Sequence, residues 1–361
     1  MSKTRMTNNP RLICLCLLVF LFSSSQPVFA ETNPTTAALG VEVTQKQQVG
    51  LSGIFDEIIA TNERPFYGLV ALMQGGKISY LNTNAYQGAL VPTLDSRFML
   101  ASQSKMITAA LVMQAVADAK FSLDDKITPY LRQAGLAGYD ERITLDQLLS
   151  HSSGIAPSGK PNRFTPGSDF QYSNLGYQVL AQVLEAVYQQ PFTSLVTHFL
   201  KRHGINGITA QLGEQTGLLK GIEISSGEPM NYEVQMNLLP GGGMTGSALG
   251  LLTYLRALHS GNLLPAVQYQ MMTTPRILRP HRWPQLYYGY GVQVNRQELN
   301  EYSHSGYLSG YQSLSLSYPE FDTYLVVLEN ASWPLDDKDK VFGLHDKLRH
   351  ALRNALILER P

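Results

Sequence analysis

The sequence predicts an α+β fold: an antiparallel sheet built from both chain ends, flanked by helices, with an inserted all-helical subdomain. A hairpin pattern early in the chain, helical periodicity through its middle and a return of β patterning near its end lead to this prediction. Hairpins favour antiparallel sheets, and helices segregated from strands favour the α+β class. We expect a cleft between the sheet and the helical part, which is the usual place for a site.

The early part of the chain predicts a helix and a β-hairpin. Val49–Ile59 has apolar residues at helical spacing, which indicates an amphipathic helix. Two β-type runs, Tyr67–Met73 and Lys77–Leu81, follow it. The segment Gln74-Gly75-Gly76 between these runs is typical of a tight hairpin turn.

The middle of the chain predicts helices, and its end predicts strands and a closing helix. Helical spacing occurs in Met106–Val116, Leu145–Leu149, Leu175–Val187, Leu249–Leu258 and, at the C-terminus, Lys340–Leu356. Strand patterning occurs in Tyr288–Val294, Tyr311–Ser317 and Tyr324–Leu328. We therefore assign the sheet to about 48–98 and 285–361, and the helical part to about 99–284.

The first 30 residues predict a secretory signal peptide. They carry three basic residues and no acidic one, then the apolar run Leu12–Phe22 and small residues before the expected cleavage point. An uncleaved anchor is the alternative, although the run is short for a bilayer span. Residues 31–47 predict a loose leader before a single folded domain over 48–361. We expect export across the inner membrane, to a periplasmic or extracellular location.

Composition restricts the class of function. Both cysteines, Cys14 and Cys16, lie in the signal segment, so the exported chain would have no disulfide, cysteine nucleophile or thiolate metal site. Beyond residue 30 there are 25 basic and 28 acidic residues, which gives no electrostatic basis for nucleic-acid binding. The histidines show no ligand spacing. We expect a small-molecule or peptide substrate, no cofactor or metal, and no stable membrane span in the mature chain.

The S-x-x-K spacing of Ser102 and Lys105 is the first candidate for catalysis. Residues three apart on a helix share a face, so the amine can take the proton that a serine hydroxyl loses on becoming a nucleophile. Lysine can do this only if burial or a neighbouring cation lowers its pKa. The alternative is that Ser102 caps the helix and Lys105 is solvated, and the spacing alone leaves both open.

Tyr172-Ser173-Asn174, at the start of a predicted helix, is the second candidate. A phenol can relay a proton, and the amide of Asn174 can hydrogen-bond both a lysine and a substrate carbonyl. The alternative is a buried aromatic at Tyr172 with Asn174 as the helix N-cap. Tyr80-Leu81-Asn82 has the same pattern, but we discount it because it lies on a hairpin strand.

His304-Ser305-Gly306, next to a β segment, is the third candidate. Glycine at a strand edge allows the substrate backbone to approach closely, and His304 adds a donor or proton shuttle. His259-Ser260-Gly261 has the same letters but follows a predicted helix, where glycine indicates a C-cap. We therefore prefer His304.

In this order the three motifs resemble those of the serine β-lactamase and penicillin-binding-protein superfamily, specifically its class C-like branch of D,D-peptidases, esterases and D-aminopeptidases. Ile143–Ile155 is similar to the family stretch written LLTHTSG, and Pro240–Met244 is similar to its Gly-rich loop. The resemblance covers about residues 48–357. It implies a β-lactamase/transpeptidase-like fold and a single catalytic domain.

The resemblance also implies roles for individual residues. The nucleophile, its base and a second proton-transfer group would be Ser102, Lys105 and Tyr172. The substrate-binding residues would be Asn174, His304, Gly306 and Tyr307. Among these, His304 takes the place of the K-T-G lysine, and the backbone N–H groups of Ser102 and Tyr307 would form the oxyanion hole.

The implied function is an exported serine hydrolase that forms an acyl-enzyme with an amide or ester, either a D-amino-acid peptide of the cell-wall type or an ester. A β-lactam is a weaker candidate, because the imidazole of His304 replaces a permanent cation. The alternative, from another class of function, is a catalytically silent binding or scaffold protein with the same fold.

Overall fold

A computed structural model describes residues 49–359 of the 361-residue chain. The predicted signal peptide and the leader over 31–47 lie outside the described residues. None of the described helices combines the length and the apolar character needed to cross a membrane.

The elements, numbered in chain order, are as follows. The helices are α1 Val49–Ala60, α2 Ser104–Ala117, α3 Thr128–Gln133, α4 Leu145–Leu149, α5 Asn174–Tyr188, α6 Phe192–Arg202, α7 Ala248–His259, α8 Ala266–Thr273 and α9 Lys338–Leu358. The first strands are β1 Gly68–Gln74, β2 Lys77–Asn84, β3 Phe98–Met99, β4 Ile208–Thr209, β5 Gly213–Glu214, β6 Gly221–Glu223, β7 Glu228–Met230, β8 Glu233–Val234 and β9 Thr245–Gly246. The remaining strands are β10 Ile277–Leu278, β11 Tyr287–Tyr288, β12 Gln293–Asn295, β13 Glu301–Leu308, β14 Tyr311–Tyr318, β15 Thr323–Glu329 and β16 Ala331–Ser332.

An eight-stranded antiparallel sheet joins the two ends of the described chain. Its order is β10-β11-β12-β13-β14-β15-β1-β2, so the N-terminal hairpin pairs with the late strands through β1 and β15. Side chains alternate across β1. Leu69 and Ala71 pack into the core shared with α2 and α7, whereas Val70 and Leu72 pack against α1 and α9. The α+β class with a sheet from both chain ends is confirmed.

One predicted strand, Tyr288–Val294, is wrong as a continuous element. The chain instead forms β11 and β12, which pair with each other around a turn in which Gly291 has a φ of +69°. A Cβ at Gly291 would lie 2.6 Å from both the carbonyl oxygen of Lys105 and the Cβ of Ala109. The turn therefore packs directly on α2, a contact that local periodicity does not reveal.

The inserted segment is mainly helical, but it also contains short strands that the sequence patterns do not predict. β3, β9 and β4 form one small sheet, β5 pairs with β8, and β6 pairs with β7 and with β16. Each of these strands is two or three residues long. Strands of this length carry too few residues for an alternation signal.

A buried ion cluster fixes α9 to the sheet at Glu301, the first residue of β13. Its carboxylate accepts hydrogen bonds from Arg349 Nε at 2.8 Å, Arg353 Nη1 at 3.0 Å and the Tyr318 hydroxyl at 2.6 Å. Burial alone would raise the pKa of the Glu301 carboxyl, but the charge and hydrogen bonds of Arg349 outweigh it, so the pKa is below its ordinary value.

A second buried carboxylate, Glu329 at the end of β15, joins both terminal helical segments. It accepts two hydrogen bonds from Arg64, at 2.6 and 2.9 Å, and one from His345 Nε2 on α9 at 2.8 Å. Arg64 follows α1, so this cluster holds the layer of α1 and α9 against the sheet. Breaking such buried pairs is costly because it leaves one charge without a partner.

We expect Glu301→Gln to lower the free energy of unfolding by about 3–5 kcal/mol, because it leaves Arg349 and Arg353 buried without a counter-charge. Glu63→Gln, which removes an exposed pair with Lys340, is the control and should change stability little. Denaturant unfolding followed by circular dichroism measures both. Equal stability of the two variants would contradict the role given to the cluster.

Candidate active site

The nucleophile candidate Ser102 lies in a 3-10 turn, Ala101–Gln103, that connects β3 to α2. Ala101 has a φ of +49°, a left-handed conformation that is unfavourable for alanine and turns the chain sharply before Ser102. No side-chain cap is present at the start of this turn or of α2, so Ser102 is not a helix cap. It is Ser104 that ties the turn down, donating to the carbonyl of Ala101 at 2.7 Å.

Lys105 lies in the first turn of α2 and is fully buried. Its Nζ donates to the Asn174 side-chain oxygen and to the Gly241 carbonyl, each at 2.6 Å. Burial, and secondly the charge of Arg279, hold the pKa of Lys105 well below its usual value. The alternative of a solvated lysine is therefore wrong. A neutral amine has two N–H groups, so both are used and its lone pair stays available to accept a proton.

The Gly-rich stretch Pro240–Met244 supplies one of these acceptors. It forms a π-helical turn over Leu239–Gly243, and Thr108 on α2 donates to the Pro240 carbonyl at 2.7 Å. A Cβ at Gly241 would lie only 3.3 Å from Lys105 Nζ. The sequence motif does not indicate the contact with Lys105, because the two are more than 130 residues apart.

The segment Tyr172-Ser173-Asn174 places the side chains of Tyr172 and Asn174 beside Lys105. Ser173, and not Asn174, is the N-cap of α5, since its hydroxyl accepts from the Gly176 N–H at 3.1 Å. The alternative of Asn174 as N-cap is therefore wrong, and its amide is free to bind Lys105. The Ser102 side chain lies close enough to the Tyr172 hydroxyl to lower the pKa of Tyr172, and Lys105 Nζ lies 4.5 Å from the centre of the Tyr172 ring.

The Tyr172 phenol is protonated at neutral pH. Burial raises the pKa of Tyr172 to about 12, although the nearby Ser102 hydroxyl and the charge of Arg279 act in the opposite direction. A protonated phenol beside the nucleophile can pass a proton on to a leaving group.

The two discounted motif copies lie in structural positions. Tyr80 is on β2, and its hydroxyl donates to Asp56 at 2.6 Å. His259 is the last residue of α7, and Gly261 follows it with a φ of +79°, typical of a glycine that ends a helix. Their exclusion on local context agrees with the structure.

His304 is the fourth residue of β13 and is buried. Its Nδ1 donates to the Ser305 carbonyl and its Nε2 accepts from the Tyr288 hydroxyl, each at 2.8 Å. Burial first, and besides it the charge of Arg279, hold the pKa of His304 well below its usual value. The imidazole is therefore neutral and both nitrogens are engaged. The prediction of a donor or shuttle that faces the substrate does not fit this geometry, because Tyr288 occupies the nitrogen that would serve.

The edge of β13 runs past the nucleophile. β12 pairs with β13 only at residues 301–303, whereas β14 pairs along the other edge as far as Leu308. A Cβ at Gly306 would lie 2.8 Å from the Cβ of Ala101, so only glycine allows the strand to come this close to the turn. The edge beyond Ser303 has no strand partner among residues 49–359, which leaves backbone groups for a substrate.

Tyr307 follows Gly306 on the same edge. Its hydroxyl donates to the Trp333 carbonyl at 2.7 Å, so the side chain is engaged elsewhere. The backbone N–H remains the group that the sequence predicts for the oxyanion hole. Ser102 lies in the short turn before α2. Its backbone N–H therefore has no carbonyl of a preceding helical turn to bond with. The two predicted donors are therefore on segments that contact each other through Gly306 and Ala101.

Three further residues border the site: His151, Tyr288 and Arg279. His151 Nδ1 accepts from the Ser173 N–H at 3.2 Å, and its ring centre lies 4.3 Å from that of Tyr172 and 4.7 Å from that of Tyr288. His151 thus supports Tyr172 from behind. Tyr288 and Arg279 stand alone outside any motif, so no sequence pattern indicates a function for them.

Arg279 lies between β10 and β11, with its guanidinium carbon 5.2 Å from the centre of the Tyr172 ring. Its positive charge contributes to the lowered pKa values of Lys105 and His304. Within residues 49–359 no group of three or more His, Cys, Asp or Glu side chains is placed to hold a metal ion.

Comparisons with known proteins agree with this arrangement. A family model described as Beta-lactamase matches residues 54–346. The probable fimbrial assembly protein FimD, serogroup H1, of Dichelobacter nodosus is 28% identical over 223 residues, which are 52% of this chain and 56% of that protein. The chain thus matches little more than half the length of this curated relative.

Two solved structures share the fold. The penicillin-binding protein from Bacillus halodurans has a TM-score of 0.69 at 22% identity, covering 85% of this chain and 99% of that one. The D-amino acid amidase from Ochrobactrum anthropi SV3 has a TM-score of 0.72 at 18% identity, covering 84% of this chain and 99% of that one. The family model spans most of the described residues, including Ser102, Tyr172 and His304. The chain belongs to the beta-lactamase family.

Proposed function

We propose that this protein is a serine hydrolase that forms an acyl-enzyme through Ser102. The observation that carries the proposal is the fully buried amine of Lys105, held by two acceptors one helical turn from Ser102. Burial and the charge of Arg279 hold the pKa of this amine well below its usual value, which favours the uncharged form that can act as a base. The Tyr172 hydroxyl, close to the Ser102 side chain, completes the proton path.

Acylation proceeds in two steps. Ser102 Oγ forms a bond to the substrate carbonyl carbon while its proton moves to Lys105, and the oxyanion is held by the N–H groups of Ser102 and Tyr307. The bond from carbon to the leaving nitrogen or oxygen then breaks, and the leaving group takes its proton through Tyr172. Water repeats the sequence on the ester of Ser102, which releases the acid and restores the serine hydroxyl.

We propose an amide or ester of a D-amino-acid peptide, of the cell-wall type, or a simple ester as substrate. The likeness to the D-amino acid amidase supports this class. The neutral, fully engaged imidazole of His304 supplies no cation for a β-lactam carboxylate, which makes a β-lactam the weaker candidate. The signal-like residues 1–30 support export, so we propose a periplasmic or extracellular enzyme.

Replacing the nucleophile tests the proposal most directly. We expect Ser102→Ala to abolish labelling by a fluorophosphonate or penicillin probe and to lower kcat/KM roughly 10³-fold or more. Ser260→Ala, at an exposed serine that ends α7, is the control and should keep both. Labelling of Ser102→Ala at the wild-type level would exclude Ser102. A folded wild-type protein that no probe acylates would favour a catalytically silent binding protein.

The pH dependence tests the base. Catalysis requires neutral Lys105, so kcat/KM should fall about tenfold per pH unit below the lowered pKa of this amine. Asn174→Asp places a negative charge against Nζ, which favours the protonated amine and should move this limb to higher pH. Asn354→Asp, on the exposed face of α9, should leave the limb in place. A rise in kcat/KM on acidification would contradict Lys105 as base.

A substrate comparison tests the preference. Because His304 provides no cation, we expect higher kcat/KM for D-alanyl-D-alanine peptides and p-nitrophenyl esters than for the β-lactam nitrocefin. Purified wild-type protein, assayed with each substrate at one pH, gives the ranking. The reverse ranking would overturn the interpretation of His304.

A further inference from the structure

Strand β14 has a polar face that is buried. Serine and leucine alternate strictly over 313–317, a pattern that in an antiparallel sheet predicts leucines in the core and serines in solvent. Leu314 and Leu316 do pack against the layer of α1 and α9. On the opposite face, however, Ser313 and Ser315 are fully buried as well. A buried hydroxyl costs stability unless it is hydrogen-bonded, so these serines need partners inside the protein.

Both serines bond to the chain around the 3-10 turn before α2. Ser313 Oγ donates to the Leu100 carbonyl at 3.0 Å, and Ser315 Oγ donates to the Gln103 side-chain oxygen at 2.8 Å. Gln103 Nε2 in turn donates to the His304 carbonyl on β13 at 3.1 Å. The Gln103 side chain is fully buried, so it links the turn to two neighbouring strands without competition from water.

The other residue between the nucleophile and its base, Ser104, is also engaged. Its Oγ donates to the Ala101 carbonyl at 2.7 Å and accepts from the Met244 N–H of the Gly-rich stretch at 3.1 Å. The two middle residues of the S-x-x-K motif are therefore not spacers. Gln103 ties the turn to the sheet, and Ser104 ties it to the Gly-rich stretch.

We propose that Gln103 is a positioning residue that sets the separation between the two backbone donors of the oxyanion hole. One donor, the Ser102 N–H, lies next to Gln103 in the turn, and the other, the Tyr307 N–H, lies three residues beyond His304 on β13. β14 pairs with β13 throughout residues 302–308, which holds this part of the strand straight. Fixing the His304 carbonyl to the turn therefore fixes Tyr307 relative to Ser102.

Directional bonds suit this task better than apolar contacts. Oxyanion donors act when they lie about 2.7–3.1 Å from the developing oxyanion, and a misplacement of about 1 Å can cost roughly 100-fold in rate. Apolar side chains can shift against each other at little cost, whereas the amide of Gln103 has a donor and an acceptor that each meet one fixed partner. This inference rests on the proposed acyl-serine function and adds a residue that acts through the backbone without touching the substrate.

An ester and its thionoester test the position of the donors. In 4-nitrophenyl thionoacetate, sulfur replaces the carbonyl oxygen of 4-nitrophenyl acetate, so the two substrates differ only in the atom that enters the oxyanion hole. Gln103→Met removes both side-chain bonds at a similar size. We expect it to lower kcat/KM for the oxygen ester by roughly 10- to 100-fold and for the thionoester by much less, because sulfur gains less from well-placed donors. The intrinsic reactivity of the two esters cancels when their ratio is compared between variants.

Gln114→Met is the matched control. Gln114 lies later on α2 and donates to Asp118 at the surface, so this variant should keep the wild-type rates and ratio. Gln103→Met also leaves the Ser315 hydroxyl without its acceptor, which should lower the midpoint of thermal unfolding. Combining Gln103→Met with Ser315→Ala removes that hydroxyl. The double variant should regain part of the stability, while its oxygen-to-sulfur ratio stays low.

The pH profile gives a further readout. Lys105 keeps its two acceptors in Gln103→Met, so the acidic limb of kcat/KM should stay at the wild-type pH. A wild-type ratio in Gln103→Met, or a ratio that recovers together with the thermal midpoint in the double variant, would overturn the inference. A shifted acidic limb with an unchanged ratio would also overturn it, because the effect would then act through Lys105.

The same assay separates failure of the inference from failure of the proposed function. If a fluorophosphonate labels Ser102 in the wild-type protein and Gln103→Met slows both esters equally, the hydrolase proposal stands and the positioning role of Gln103 is rejected. If a folded wild-type sample hydrolyses neither ester and no probe labels it, both proposals are rejected.

Discussion

The site depends on burying the amine of Lys105 among uncharged acceptors. Two acceptors at 2.6 Å, the amide of Asn174 and the carbonyl of Gly241, hold Nζ without giving it a carboxylate that would favour its protonated form. These acceptors come from the start of α5 and from the Gly-rich turn, whereas Lys105 itself comes from α2. Three distant segments must therefore pack together before the base exists.

The titratable groups around this amine that are described below are either positive or neutral. Arg279 is positive, His151 and His304 are buried and have lowered pKa values, and Tyr172 keeps its proton. Acidic side chains serve elsewhere, as in the Glu301 cluster that fixes α9 to the sheet. This separation leaves the positive charge of Arg279 near Lys105, where it disfavours protonation of the amine.

The scaffold places the two walls of the site from different parts of the chain. The sheet supplies the free edge of β13, and the helical segment supplies the turn that carries Ser102. Gly306 allows these walls to approach so closely that a methyl group at this position would overlap Ala101. The pairing of β1 with β15 joins the N-terminal hairpin to the late strands. The strands from both chain ends therefore form the single sheet that supports the site.

The sequence by itself determined the α+β class, most of the long helices and the positions of the three motifs. Hydrophobic periodicity and the spacing of Ser102 and Lys105 are local properties, so they can be interpreted without coordinates. The structure places His304 beside Tyr172 and His259 at the end of α7, and the local pattern around each copy indicates this difference. The structure describes residues 49–359, so the signal peptide predicted over residues 1–30 stays a prediction.

Only the tertiary structure decided which polar atoms meet. Tyr288 occupies His304 Nε2, Ser173 rather than Asn174 caps α5, and the break between β11 and β12 follows from contact of Gly291 with α2. Arg279 belongs to no motif, and its effect on the pKa values of Lys105 and His304 arises only because the fold brings these distant residues together. Burial, hydrogen bonding and charge pairing involve residues far apart in sequence, and these contacts set the pKa values and roles that no local pattern specifies.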